Sequence, residues 1–277
     1  MCLILLAYRA HSDVDLLIAG NRDEFYARPS APPGVFGRDP LIHAGRDLEA
    51  GGTWMGRNAF GMTAALTNRR DPTGRAPPDV LSRGRIVEGL LRQATPESAA
   101  EWLAGEALGR YRPFNVLFGS ARRFYFFGSG GKSPASELEP GFYALSNSTL
   151  DDRGWPKVER SHRFFDANKH LDGETLLLGL QAFLCDPTPP DSLTAADQEE
   201  EIHGALGAVF IQTPDYGTVS ASILTVGGKL DRRYYYAEAA AMASAQQGWA
   251  RGMIGNGEIV APGSAQGSPF RLVDFPE

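Results

Sequence analysis

Strand-like and helix-like patterns come in blocks along this chain, not one by one. Leu3–Tyr8 is apolar, Ser12-Asp13 makes a turn, and Val14–Ala19 is apolar again. That reads as an antiparallel hairpin. Phe60–Thr67 is a further strand. The period then changes. Val80, Leu81, Ile86, Val87, Leu90 and Leu91 follow helical spacing with Ser82 as a cap, and Thr95-Pro96-Glu97-Ser98 opens a second helix with proline in its first turn. Strands return at Phe114–Phe118, Phe124–Phe127 and Gly141–Ser146. Helical stretches follow at Lys157–Ala167 and Gly173–Leu184. Strands at Thr218–Val226 and Arg233–Ala237 come last, before a short helix over Ala237–Ala245. Helices grouped in this way argue against a doubly wound parallel sheet, in which strands and helices alternate. The expected class is α+β, with antiparallel sheets and segregated helices. Arg28–Asp39, Asp71–Asp79 and Pro187–Ser192 read as loops from their proline and glycine content. The tail beyond Gly248 has no convincing pattern.

The chain has 277 residues, 43% of them hydrophobic and 22% charged, enough to bury a large core; one domain over residues 1–277 is expected. The net charge is -6 and no block of lysines and arginines stands out, which speaks against a nucleic-acid partner. Cys2 and Cys185 are the only cysteines, so there is no disulfide framework and a reducing, cytoplasmic setting is expected. The first residues lack a basic leader, and no apolar run approaches the roughly 20 residues of a membrane span. Five histidines show no zinc-ligand spacing, so no metal is expected. His162 and His170 lie in a charged stretch and read as solvated. Gly128–Ser133 resembles a phosphate loop, but Phe126 stands where that loop needs glycine, and a hairpin turn fits better.

The chemistry centres on Cys2. Loss of Met1 would leave one residue with both a thiol and a free α-amine. An α-amine has a pKa of about 7.7–8.0 and accepts a proton near neutral pH, so Cys2 could supply nucleophile and base together. Left as a plain residue, Cys2 opens a buried strand. In a hairpin of this length, the end of the second strand lies near the start of the first. Asn21-Arg22-Asp23-Glu24 closes that second strand, so Asp23 is expected to orient the Cys2 amine and Arg22 to hold negative charge. Asn68 and Asn147 each follow a strand, where a side-chain amide can donate to an oxyanion. The commoner role of such an asparagine is a simple turn. Trp54 and Phe60 are candidate walls of a ligand pocket.

These residues fall into a known order. Met1-Cys2, Asn21-Arg22-Asp23-Glu24, Gly51-Gly52-Thr53-Trp54, Leu66-Thr67-Asn68, Ser82-Arg83-Gly84, Phe114-Asn115, Leu145-Ser146-Asn147 and Trp155-Pro156-Lys157 resemble NRDE proteins, the transport and Golgi organisation 2 family, over about residues 1–237. That family in turn resembles the choloylglycine hydrolase and penicillin V acylase branch of N-terminal nucleophile hydrolases. The resemblance implies a four-layer αββα sandwich, Cys2 as nucleophile, Asp23 on the terminal amine, and Asn68 and Asn147 around the oxyanion. Arg22 is a looser match, because the branch separates its arginine and aspartate by two residues. The family's late Tyr-Gly-Thr segment usually continues with arginine, whereas Tyr216-Gly217-Thr218 runs into Val219-Ser220.

Two functions follow as expectations. One is a cysteine amidohydrolase acting on a small-molecule, non-peptide C–N amide, with no cofactor required. The other is a carrier that holds haem or an acyl-lipid in the same pocket without turnover, as the resemblance also implies. Substrate and oligomeric state are not legible.

Overall fold

The computed structural model describes residues 2–70, 74, 77–131, 133–190, 206–246, 254–255, 258–259 and 267–274. Strands β1 (Leu3–His11) and β2 (Val14–Phe25) form the expected hairpin, with Leu3 opposite Asn21 and Tyr8 opposite Leu16. They are inner strands of a sheet that has six strands among the described residues. β10 (Gly141–Leu145) pairs with β1, and β11 (Tyr216–Val226) pairs with β2. β12 (Tyr234–Glu238) and β15 (Arg271–Leu272) follow outward. A second sheet of seven strands runs in sequence order: β3 (Ser30–Phe36), β4 (Ile42–Asp47), β5 (Met55–Asn58), β6 (Thr63–Asn68), β7 (Phe114–Gly119), β8 (Phe124–Gly128) and β9 (Ser136–Glu137). The pairings in both sheets are antiparallel. Among the described residues, β13 (Ile254–Gly255) and β14 (Glu258–Ile259) form a separate two-stranded pair.

The hairpin is apolar without alternation because both of its faces are buried. Leu3, Leu5, Ala7, Leu17 and Ala19 pack beneath α3 (Pro156–Asn168) and α4 (Gly173–Leu184), against Phe164, Phe165, Leu177 and Leu180. Ile4, Leu6, Tyr8, Leu16 and Ile18 face the other sheet, against Met55, Ala65, Leu117 and Phe124. The far face of the second sheet packs against α1 (Gly84–Leu91) and α2 (Pro96–Gly105) through Ile86, Val87, Leu90, Leu103, Val116 and Phe118. The layers therefore run helix, sheet, sheet, helix, the αββα sandwich that the resemblance implies. Each such aliphatic side chain contributes about 1.5–3 kcal/mol relative to its exposed state. A short helix, α5 (Ala239–Ala245), follows β12.

Several expectations change. The proline-rich segment after Arg28 contains strand β3, despite Pro32 and Pro33. Among the described residues it is an edge strand, paired with β4, and its register slips between Ala31 and Gly34, so the missing N–H groups break no inner ladder. The strand expected from Phe60 begins at Thr63, because residues 59–62 form the tip of the β5–β6 hairpin. Ser82 does not cap α1; its hydroxyl reaches the carbonyl of Gly51 at 3.5 Å. Thr95 does cap α2, in a reciprocal box with Ser98. His162 is buried, with Nε2 2.8 Å from Asp151 Oδ1; only His170 is exposed. The glycine-rich turn joins β8 to β9, though Lys132 lies outside the described residues. Most of the chain beyond Gly248 lies outside them too.

Candidate active site

The site forms where the start of β1, the end of β2 and the ends of β6 and β10 meet. Cys2 is half-buried, one residue before β1. The hairpin register sets Arg22 and Asp23 beside it, and the Cys2 thiol points to the Asp23 carbonyl at 3.9 Å. Successive residues of a strand face opposite ways, so the polar run on β2 is divided between two layers. Asn21 faces the helices, where Nδ2 donates to the carbonyls of Leu184 (3.0 Å) and Val209 (2.9 Å), tying down the end of α4. Arg22 faces the other sheet. Its guanidinium lies 4.7 Å over the Trp54 ring, and Nη2 is 3.7 Å from Asp47 Oδ2. Arg28 holds the same carboxylate at 2.9 Å. Trp54 fits there because Gly45 leaves room; a Cβ on that glycine would come within 2.5 Å of the indole.

Asp23 turns back toward α3. Oδ1 accepts from the Thr218 hydroxyl at 2.7 Å, Oδ2 lies 3.8 Å from Lys157 Nζ, and its backbone carbonyl accepts from Tyr216 at 3.2 Å. Both charged side chains are 1% exposed or less. β11 bulges between Thr218 and Ser220, opposite Asp23 and Arg22. Burial pushes Asp23 up and pulls Lys157 down, and each opposes the other's shift. Burial also pushes the Cys2 thiol up; the Asp23 charge adds to that, while Lys157 pulls it back. The resting thiol is thereby held protonated, and a base must be at hand for it to react.

A chain of hydrogen bonds links Cys2 to both asparagines. Ser146 Oγ lies 3.2 Å from the Cys2 carbonyl and 3.3 Å from Asn147 Oδ1, its one proton shared between the two acceptors. Asn147 Nδ2 donates to the Asn68 carbonyl at 2.6 Å. An amide nitrogen carries two N–H groups, and this bond uses one of them. Asn115 braces the neighbouring turn through the carbonyl of Ser148 at 2.7 Å.

The fold thus gathers Cys2, Arg22, Asp23, Trp54, Asn68 and Asn147 at one end of the sandwich. It does not bring Phe60 there. Phe60 is 56% exposed at the β5–β6 tip, the opposite end of β6 from Asn68, because a hairpin places its tip and its strand ends a full strand apart. Sequence reasoning assigned no role to Lys157, Thr218 or Ser146. One signal for Lys157 was present: a lysine directly after the proline that opens a helix stands at the positive end of that helix, where lysine is disfavoured. The cation expected after Thr218 is not in β11, yet one stands beside the carboxylate, contributed by α3.

Among the described residues, no group of three or more His, Cys, Asp or Glu is placed to hold a metal ion, and no helix is long and apolar enough to cross a membrane. A conjugated bile acid hydrolase variant from Clostridium perfringens has a similar structure, with a TM-score of 0.51 at 12% identity over 86% of this chain and 89% of its own. That likeness is one of fold: the N-terminal nucleophile hydrolase sandwich. The Transport and Golgi organization protein 2 homolog of Bos taurus is 31% identical over 229 residues, 76% of this chain and 82% of its own. The Mus musculus homolog is 29% identical over 230 residues, with the same coverage. The family model described as Transport and Golgi organisation 2 matches residues 1–240, and the chain belongs to that family.

Proposed function

We propose that this protein is a cysteine N-terminal nucleophile amidohydrolase acting on a small-molecule C–N amide. The observation that supports it most is the placement of Cys2 against Asp23, whose carboxylate is held by Thr218 and Lys157. After removal of Met1, the α-amine of Cys2 takes the thiol proton and the thiolate attacks the amide carbonyl. Asp23 orients the amine. Asn68 and Asn147 donate to the oxyanion, and Arg22 contributes positive charge. The amine returns its proton to the leaving nitrogen as the C–N bond breaks, leaving a thioester on Cys2. Water, deprotonated by the same amine, cleaves the thioester to a free acid and the thiol.

Intact mass reads whether Met1 is removed. A screen of N-acyl amides against wild type and Cys2→Ser then reads turnover. Cleavage that is lost in Cys2→Ser supports the reading, and a retained Met1 with no cleavage sinks it.

Carriage without turnover takes its support from the rim. Phe25 and Tyr26, just past Asp23-Glu24, are 58% and 45% exposed, and Phe25 meets Tyr216 edge-on at 5.3 Å. Such a rim suits a flat or acyl ligand. For haem, Cys2 would be the iron ligand. A haem titration with no change in absorbance, or one unaltered in Cys2→Ser, would count against that use of the site.

A further inference from the structure

Lys157 sits where an ammonium is hard to keep. It is fully buried, and it lies in the first turn of α3, whose N-terminal end carries partial positive charge. A lysine in a helix of this kind normally extends to water. This one instead faces inward, 3.8 Å from Asp23 Oδ2. Isolating either charge there would be severe, since breaking one half of a buried pair leaves the other uncompensated.

Two cations compete for Asp23. One is the Lys157 ammonium; the other, if Met1 is removed, is the α-amine of Cys2. Were the α-amine the sole counter-ion, the ion pair would keep it protonated, and a protonated amine cannot take the thiol's proton. We propose that Lys157 is a positioning residue that carries the counter-charge of Asp23, so that Asp23 can hold the Cys2 amine in its neutral, proton-accepting form. Burial pulls the Lys157 ammonium down, but the Asp23 carboxylate 3.8 Å away opposes that pull, and an α-amine starts from about 7.7–8.0 against about 10.4 for a lysine. The labour is then divided: Lys157 balances the charge, Thr218 fixes one carboxylate oxygen, and the carboxylate orients the amine. This rests on the hydrolase reading of Cys2. Besides one another, the three groups face Arg83 from the turn before α1, Arg160 further along α3, Tyr26 just beyond β2 and Tyr216 at the start of β11.

The test needs no substrate. With the Cys2 thiol capped as its methyl disulfide, the α-amine is acetylated with acetic anhydride from pH 5.5 to 9.5 and followed by peptide mass, in wild type, Lys157→Arg and Lys157→Met, with a thermal melt of each. Wild type and Lys157→Arg are expected to share one pH midpoint. Lys157→Met is expected to move it up by about one unit and to slow acetylation of the amine at pH 7 about tenfold, since Asp23 is then left with the α-amine as its counter-ion and holds it protonated. A folded Lys157→Met with the wild-type midpoint overturns the proposal. Should that variant fail to fold, Lys157→Gln keeps a hydrogen-bond donor toward Asp23 and removes only the charge. An amine midpoint about one unit above wild type is expected there too, and a wild-type midpoint overturns the proposal. If wild type cleaves no amide, the hydrolase reading fails, while the midpoints still decide the role of Lys157.

Discussion

The Thr67 hydroxyl, on the strand that ends at Asn68, donates to the carbonyl of Ser146 at 2.6 Å. Thr67 belongs to one sheet and Ser146 directly follows a strand of the other. The bond is therefore a stitch between the two sheets, made one residue away from the chain of contacts that runs from Cys2 to Asn68. Both groups are buried, so neither can turn to water instead.

Thr67→Val keeps the shape and removes the donor. It leaves the Ser146 carbonyl unsatisfied, which costs about 1–3 kcal/mol. Urea denaturation should show that loss, and Thr67→Ser should recover most of it. An unchanged midpoint in Thr67→Val would mean that the stitch is not stabilising.

The two thiols should differ sharply in reactivity. Cys185 is fully buried, and burial pushes its thiol up to about 12, whereas Cys2 is half-exposed. A disulfide reagent at pH 8 is expected to titrate one thiol in native protein and two in guanidinium. Cys2→Ser should titrate none when native. Fast native labelling of Cys185 would contradict the packing around the end of α4.

His43 should make the fold acid-sensitive. Burial, with Arg57 opposite on β5, lowers it from 6.5 to about 4. The folded chain thus holds this histidine neutral, while the unfolded chain protonates it as pH falls below 6.5. Its contribution is intact above that pH and is lost as pH falls toward 4, amounting to about 2 kcal/mol by pH 5. Denaturant melts at pH 5 and 7.5 should narrow their difference by this amount in His43→Gln. An equal pH dependence in both proteins would refute the assignment.

Gly52→Ala should loosen the approach to the site. Gly52 has φ +76, and a Cβ there would come within 2.6 Å of the Gly84 carbonyl carbon. The two backbones are also joined by a bond from Thr53 N–H to the Gly84 carbonyl at 3.3 Å. Positive φ and a backbone clash together should cost about 2 kcal/mol or more. A thermal melt equal to wild type would show that the loop can yield.

The central hairpin was legible because its length alone determines which residues face Cys2. The α+β class with antiparallel sheets was legible in the grouping of helices, whereas the αββα order came only from the family resemblance. The misreadings have local causes. Pro32 and Pro33 look like loop until β3 is known to be an edge, a property of the sheet and not of the segment. Phe60 looked like strand because it adjoins one, yet a hairpin tip is set by pairing with β5. Lys157 was invisible as a site residue because 134 positions separate it from Asp23, and only the packing of α3 on the hairpin brings the two together.

The pleat of β2 turns the order of its polar residues into a set of destinations. Position 21 is delivered to the end of α4, position 22 to the indole between the sheets, and position 23 to the buried lysine. Were the middle two letters to trade places, composition and net charge would not change. A carboxylate would then lie beneath Trp54 facing Asp47, and a guanidinium would be driven against an ammonium. What this stretch encodes is handedness of address: which side of a strand each charge is sent to.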